Sequence, residues 1–114
     1  QTPEANAQFY KALDEFGYQD ARFFGYWNNA DLVGGPTEAI KVSVYRKPKG
    51  GALLCIYNVS REKQRATLTV AWKRLKGPGE LQVVDAFTRE LISVDGDSIT
   101  LEVPPLNYRL LRVR

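Results

Sequence analysis

The stretch from Ile40 to Val59 constrains the fold more strongly than any other part of the chain. Residues 40–45 alternate between apolar and polar side chains, which is the period of a strand with one buried and one solvated face. Residues 53–57 are apolar without alternation, so they predict a strand that is covered on both faces and lies centrally in its sheet. The connection between them contains a proline and two glycines, which favour a turn. Together these features predict a β-hairpin whose second strand is central.

The beginning of the chain predicts a helix over residues 3–16. Thr2 suits the N-cap, Pro3 suits the first helical position, and Gly17 provides a stop. Between them an apolar stripe recurs at helical spacing, formed by Ala5, Phe9, Ala12, Leu13 and Phe16. Because this stripe needs a partner and residues 53–57 need a second cover, we expect the helix to pack on that strand.

Strand patterns recur along the rest of the chain and are separated by short polar, glycine or proline connections. They cover residues 21–27, 65–72, 80–87, 91–94, 99–103 and 107–113, whereas residues 28–37 are predicted to form an irregular surface loop. Such short connections cannot hold crossover helices, so the strands should pair antiparallel. We therefore expect a mainly β fold, an antiparallel two-sheet β-sandwich of about eight strands with one N-terminal helix. It would be a single domain over residues 1–114, with residues 1–20 as a helical junction segment and residues 21–114 as the sandwich.

The residues that most enzymes use are scarce in this sequence. There is no histidine, so Ser/His and Cys/His nucleophile pairs and histidine-bearing metal sites cannot be built from this chain. The carboxylate pairs Asp14/Glu15 and Asp95/Asp97 fall on a predicted helix surface and at a predicted hairpin turn. We therefore predict no catalytic residue, no metal site and no cofactor for this chain.

Charge and hydropathy narrow the range of partners. The net charge of +3 arises from lysines and arginines spread over every segment among thirteen carboxylates, which indicates a solvated surface rather than a nucleic-acid-binding patch. No run approaches the ~20 apolar residues of a membrane span, so we expect a soluble domain without a membrane partner. The single cysteine, Cys55, lies in the most apolar run and is predicted to be a small buried side chain.

Aromatic side chains are the remaining candidates for binding. Trp72 shares a strand face with Leu68 and Val70 and is therefore predicted to lie in the core. Trp27 ends an aromatic strand beside a polar loop, so both an interface role and a role as a platform for a ligand stay open. The candidate ligand or interface residues are Tyr26, Trp27, Asn28, Asn29, Asp31 and Tyr45.

Several short patterns along the chain resemble a known family. They are Leu13–Gly17, Phe24–Asn28, Val42–Arg46, Ala52–Leu54 with Asn58–Ser60, Asp85–Thr88 and Tyr108–Leu111. In this order they resemble the C-terminal β-sandwich region of large glycoside-hydrolase-like proteins, and those similar to family 123, the β-N-acetylgalactosaminidase type, look closest. The resemblance covers nearly the whole chain. It rests on strand and turn patterns, and no catalytic residue of the family has a position here.

The resemblance implies a function for the chain. In such proteins an upstream (β/α) barrel carries the catalytic carboxylates, and the sandwich is a non-catalytic accessory domain that packs on it. The leading helix and the aromatic strand would form the junction. Two alternatives stay open: a carbohydrate-binding module that uses exposed aromatics, and a single-stranded nucleic-acid-binding β-domain. The second rests on Tyr45 with the neighbouring cations Lys41, Arg46 and Lys47.

Overall fold

The described part of the chain forms two antiparallel β-sheets, and a helix covers part of the outer face of the larger sheet. The computed structural model describes residues 3–114, apart from the side chain of Ala5. The predicted N-cap at Thr2 and the place of Ala5 in the apolar stripe therefore lie outside the described residues. Neither helix in the described residues is long and apolar enough to span a bilayer.

Eight strands and two helices make up the described residues. The helices are α1 (Pro3–Phe16) and α2 (Trp72–Leu75), with a 3₁₀ turn at Tyr18–Asp20. The strands are β1 (Arg22–Phe24), β2 (Val33–Gly34), β3 (Ile40–Arg46), β4 (Ala52–Asn58), β5 (Gln64–Val70), β6 (Val83–Asp85), β7 (Ser98–Val103) and β8 (Tyr108–Val113). The larger sheet has the order β1-β3-β4-β8-β6 and the smaller one β2-β5-β7. The mainly β, two-sheet antiparallel prediction is confirmed.

Strand β4 is buried on both faces and is the middle strand of the larger sheet, as the sequence predicts. Its inward side chains, including Leu54 and Ile56, belong to the core between the two sheets. Leu53 points to the opposite face, where it packs with Leu110 of β8 beneath α1. The predicted hairpin of β3 and β4 is present, with Ile40 opposite Asn58 in the register.

Helix α1 supplies the second cover of β4. Ala12, Leu13 and Phe16 are buried against the sheet, so the apolar stripe of the sequence is the packed face of the helix. The helix ends at Gly17, which has a φ of 81° and donates its N–H to the carbonyls of Leu13 and Asp14. The predictions of the helix, of its end and of its packing partner are confirmed.

The prediction that residues 28–37 form an irregular surface loop is wrong in its middle. Leu32 and Val33 are buried, and Val33–Gly34 forms β2, which pairs with the edge of β5. The peptide N–H groups of Leu32 and Val33 both bond to the carbonyl of Asn29. Two apolar residues within a polar loop are thus enough to add a short strand to the smaller sheet.

Strand β5 also ends earlier than predicted, at Val70, because the chain turns into α2 at Trp72. Trp72 is nevertheless buried, as the sequence predicts, and its indole N–H donates to the carbonyl of Gly96 at 3.1 Å. The helical turn therefore places this ring in the core without extending the strand.

Three other predicted strand segments are shorter than expected. The segment 21–27 ends at Phe24, and the segment 80–87 is reduced to β6. The predicted strand 91–94 is absent, since Leu91 forms only an isolated bridge with Val84 and is 69% exposed. The carboxylate of Asp85 accepts the N–H groups of Phe87 and Thr88 and so favours a turn that ends β6. After this turn the chain returns beside β6 through only two backbone bonds, from Asp85 N–H to the Glu90 carbonyl and from Ile92 N–H to the Val83 carbonyl.

The final hairpin follows the prediction more closely. Asp95 and Ser98 exchange backbone hydrogen bonds of 2.8 Å, and Gly96, with a φ of 59°, lies within the two-residue turn. An isolated bridge replaces the strand expected before this turn.

The packing of α1 generates a first prediction. Replacing Phe16 by Ala should lower the free energy of unfolding by about 3–5 kcal/mol, because it removes a ring that is buried between α1 and β4. Gln8→Ala, on the exposed side of the same helix, should change it by less than about 0.5 kcal/mol. Chemical denaturation of both variants checks this. Equal stability of the two would show that α1 is not integral to the fold.

Asp85 generates a prediction about pH. Burial would raise the pKa of Asp85, but the N–H groups of Thr88 and Phe87 and the Arg109 guanidinium, 2.9 Å from its Oδ2, together hold that pKa below its usual value. The charged carboxylate therefore contributes stability above the unfolded-state pKa of about 3.9, and the contribution is lost as the pH falls towards the folded-state pKa.

Asp85→Asn should consequently destabilise the protein by about 2 kcal/mol at neutral pH. Breaking a fully buried ion pair costs about 3–5 kcal/mol, and the expected cost is lower here because Arg109 is partly exposed and solvent screens the pair. The difference in the free energy of unfolding between the variant and the wild type should become smaller below about pH 4. Urea denaturation across pH measures it, with the exposed Glu80→Gln as the control. A gap that is the same at neutral and acidic pH would contradict the prediction.

Candidate functional site

Three exposed aromatic residues at the edge of the larger sheet form what we call the aromatic patch: Phe23, Tyr26 and Trp27. Their exposed fractions are 46%, 54% and 69%. Trp27 lies in the middle, with its ring centroid 5.1 Å from that of Tyr26 and 6.2 Å from that of Phe23, both edge-on. The patch is therefore a contiguous aromatic surface rather than a set of isolated rings.

The local sequence explains why the patch has this shape. Phe23 lies on β1 directly opposite Tyr45 of β3, and their rings are 5.0 Å apart. After β1 the chain turns, with the Asn28 N–H donating to the carbonyl of Gly25. The indole of Trp27 folds back over Gly25, and any Cβ at that position would overlap the ring. A glycine within an aromatic strand segment favours a close approach, and here Trp27 itself makes that approach.

The structure separates the polar residues of the predicted site. Asn28 is exposed beside the patch, whereas Asn29 is buried and donates its amide to the carbonyl of Val42 at 2.7 Å. Asp31 is exposed but lines a different pocket, of about 630 Å³, beside α2. There the Arg74 guanidinium bonds its Oδ2 at 2.8 Å and lowers the pKa of Asp31. Asn29 therefore holds the loop in place, and only Asn28 stays close to the rings.

Tyr45 occupies an intermediate position. It is half-buried on the outer face of the larger sheet, in contact with the cluster beneath α1. Burial raises the pKa of Tyr45, and the neighbouring Cys55 adds to the effect. Tyr45 thus supports the ring of Phe23 from below. A direct role of the six predicted residues in binding stays a prediction.

A second feature, which the sequence reasoning missed, lies beside the patch. We call it the tyrosine cleft: a cavity of about 490 Å³ between the first half of α1 and the outer face of the larger sheet. Four tyrosines line it, together with other residues including Phe9 and Lys41. The tyrosines are Tyr10, Tyr26, Tyr57 and Tyr108.

The register of the sheet creates the floor of this cleft. Tyr57 of β4 and Tyr108 of β8 are cross-strand partners, and their rings lie 6.4 Å apart with planes inclined by only 25°. Phe9 of α1 contacts the ring of Tyr108 edge-on at 5.2 Å. Lys41 extends its amine over the ring of Tyr26, 5.4 Å from the centroid. The only sequence signal was that these tyrosines alternate with core residues, which puts them on the outer faces of their strands.

The chemistry available at both features is stacking and hydrogen bonding. Burial raises the pKa of the Cys55 thiol in the cleft to about 12, so it is not a thiolate nucleophile near neutral pH. Within residues 3–114 the structure places no group of three or more Cys, Asp or Glu side chains that could hold a metal ion.

Comparison with known families decides what kind of domain this is. The family model for the C-terminal domain of glycoside hydrolase 123 matches residues 5–101, which include nearly all of α1, the aromatic patch and every strand except β8 and the end of β7. The chain belongs to this family. The resemblance found in the sequence is therefore confirmed, and α1 is part of the glycoside hydrolase 123 C-terminal domain.

Solved structures share the fold of this glycoside hydrolase 123 C-terminal domain at low sequence identity. The α-galactosidase I from Mortierella vinacea is 16% identical, with a TM-score of 0.54 over 68% of this chain and 21% of its own. An Anoxybacillus α-amylase is 8% identical, with a TM-score of 0.63 over 96% of this chain and 22% of its own. The α-amylase from Geobacillus thermoleovorans is 15% identical, with a TM-score of 0.55 over 82% of this chain and 18% of its own.

At these identities the likeness shows the fold alone. The chain spans about a fifth of the length of these enzymes. A search of curated protein sequences found no significant match.

The packing of Trp27 over Gly25 generates a prediction. Gly25→Ala should displace the indole and make it more accessible to acrylamide, measured by fluorescence quenching in a Trp72→Phe background that leaves Trp27 as the only tryptophan. Stability should change by less than about 1 kcal/mol, because an exposed ring can move aside. Gly77→Ala is the matched control, since a Cβ there meets no atom within 4 Å. Identical quenching of the two variants would contradict the arrangement.

Proposed function

We propose that this glycoside hydrolase 123 C-terminal domain is a non-catalytic accessory domain that packs on a catalytic domain preceding it in the same polypeptide. We further propose that the aromatic patch is part of the contact surface. The observation that carries the second step is the exposure of Trp27 within a contiguous group of three rings.

The free energy gained by burying aromatic rings favours a partner that covers the aromatic patch. Full burial of a large apolar side chain stabilises by roughly 1.5–3 kcal/mol, so covering three neighbouring rings would supply several kcal/mol. Tryptophan and tyrosine are enriched at the centres of protein interfaces, where they carry much of the binding energy. A patch that faces solvent in this domain alone is therefore suited to a protein partner.

The position of the patch favours the preceding domain as that partner. Tyr26 of the patch lines the same cleft as Asn6 and Tyr10 in the first half of α1. The patch thus lies beside the end of α1 at which a preceding domain would connect. Contacts between domains of one chain commonly bury ~600–1,500 Å² and are fairly polar, which suits rings flanked by Asn28 and the rest of the loop.

The arrangement of charged groups supports a non-catalytic role. Asp85 is engaged by Arg109 and two backbone N–H groups, and Glu15 pairs with Arg89 at 3.0 Å. The nucleic-acid alternative is weakened in the same way. Arg46 donates its Nε to the carbonyl of Arg74, and Lys47 holds its amine 4.4 Å above the ring centroid of Phe16.

In the full-length glycoside hydrolase, Trp27→Ala should weaken the coupling between this domain and the catalytic domain by at least about 1 kcal/mol. Calorimetry should then show the unfolding transition of this domain separating from that of the remainder. Leu91→Ala is the control, because Leu91 is equally exposed at 69% but lies outside the patch. The proposal fails if both variants behave as the wild type.

A hydrolysis assay tests the non-catalytic role directly. The 114-residue chain alone should hydrolyse no p-nitrophenyl glycoside, and hydrolysis by the full-length enzyme should depend on residues outside this chain. Turnover by the chain alone would contradict the accessory role.

A further inference from the structure

We propose that the tyrosine cleft is a binding site for a carbohydrate of one or two pyranose rings. The cleft shares Tyr26 with the aromatic patch but is otherwise formed by different residues, so the two proposals can be tested separately. Its volume of about 490 Å³ lies within the usual range of small-molecule sites.

The floor of the cleft offers aromatic surface against which a sugar ring can pack. A pyranose presents a face of C–H groups, which packs against an aromatic ring, and a rim of hydroxyls. Tyr57 and Tyr108 stack, with ring centroids 6.4 Å apart and planes inclined by 25°, and together they form an aromatic platform. Tyr10, 64% exposed, and Tyr26 stand at the side of this platform and could contact a second ring.

The polar groups of the cleft distinguish a sugar from an apolar protein segment. Lys41 and Ser43 of β3 and Asn6 of α1 line the cleft among the rings. An apolar side chain inserted there would desolvate the lysine amine without offering it an acceptor, which is costly. A saccharide offers both C–H faces to the rings and hydroxyl oxygens to the amine, so it satisfies both kinds of lining group.

The charge of the cleft limits which sugars fit. Among the described residues that line it, Lys41 is the only charged side chain, and no carboxylate faces the ligand space. Neutral sugars and sugars with a carboxylate are therefore both compatible, whereas cationic amino sugars are disfavoured.

The cleft is also preformed. Its floor belongs to β4 and β8, adjacent strands of the larger sheet, and its wall is α1, anchored by the buried Leu13 and Phe16. The contact between Phe9 and Tyr108 joins wall and floor. Binding would thus require little ordering of the protein, which lowers the cost of holding a weak ligand.

The test is an NMR titration of the 114-residue chain with lactose, N,N′-diacetylchitobiose, cellobiose and digalacturonate. At least one probe should give saturable shifts at the amides of Ser43, Tyr57 and Tyr108, with a dissociation constant of about 1 mM or below. Tyr10→Ala should weaken that binding by about tenfold or more, and Tyr18→Ala, which changes a partly exposed tyrosine outside the cleft, should leave it unchanged.

Titration of the full-length enzyme with the same probe separates this proposal from the preceding one. Binding retained in the full-length enzyme and in its Trp27→Ala variant supports the carbohydrate site. The proposal is overturned if none of the four probes shifts the cleft residues, if Tyr10→Ala binds as the wild type does, or if the preceding domain covers the cleft and abolishes binding. Loss of interdomain coupling in Trp27→Ala would bear on the docking surface alone.

Discussion

The two-sided burial of β4 is the constraint on which the rest of the structure depends. Its inward residues join the core between the sheets, whereas Leu53 on the other face must be covered by α1. A strand with two apolar faces cannot lie at an edge or face solvent, so it requires neighbours on both sides and layers on both faces. The smaller sheet and α1 meet this requirement from opposite directions.

The way in which α1 covers the outer face of β4 also creates the surfaces that could carry function. Ala12, Leu13 and Phe16, in the second half of the helix, are buried on the sheet, while its first half stands over the tyrosine cleft. The outer face of the larger sheet is therefore covered only in part. What is left exposed is aromatic, first the cleft and then the patch at β1, and Tyr26 belongs to both.

Both surfaces offer aromatic rings and hydrogen-bonding groups, and neither holds a cluster of carboxylates among the described residues. This agrees with the position of the chain as the C-terminal domain of a glycoside hydrolase family. The two proposals use different halves of one aromatic surface. Trp27 and Phe23 expose rings at the edge of the larger sheet, where a protein partner could cover them, and Tyr57 and Tyr108 line the cleft beneath α1, where a small polar ligand could bind.

The sequence by itself determined α1, the central hairpin, the long strands β5, β7 and β8 and the antiparallel two-sheet class, because periodicity reports burial over a full helix or strand. It also determined the burial of Trp72 and the aromatic character of residues 23–27. The short elements were decided by tertiary structure: β2 exists because the edge of β5 accepts it, and the strand expected at 91–94 is reduced to an isolated bridge beside β6. The sequence predicted Asn29 as a ligand or interface residue, but its side chain is buried and donates a hydrogen bond to the carbonyl of Val42. The tyrosine cleft depends on the register that sets Tyr57 beside Tyr108 and on the packing of α1 against them, and contacts between residues so distant along the chain leave no local pattern in the sequence.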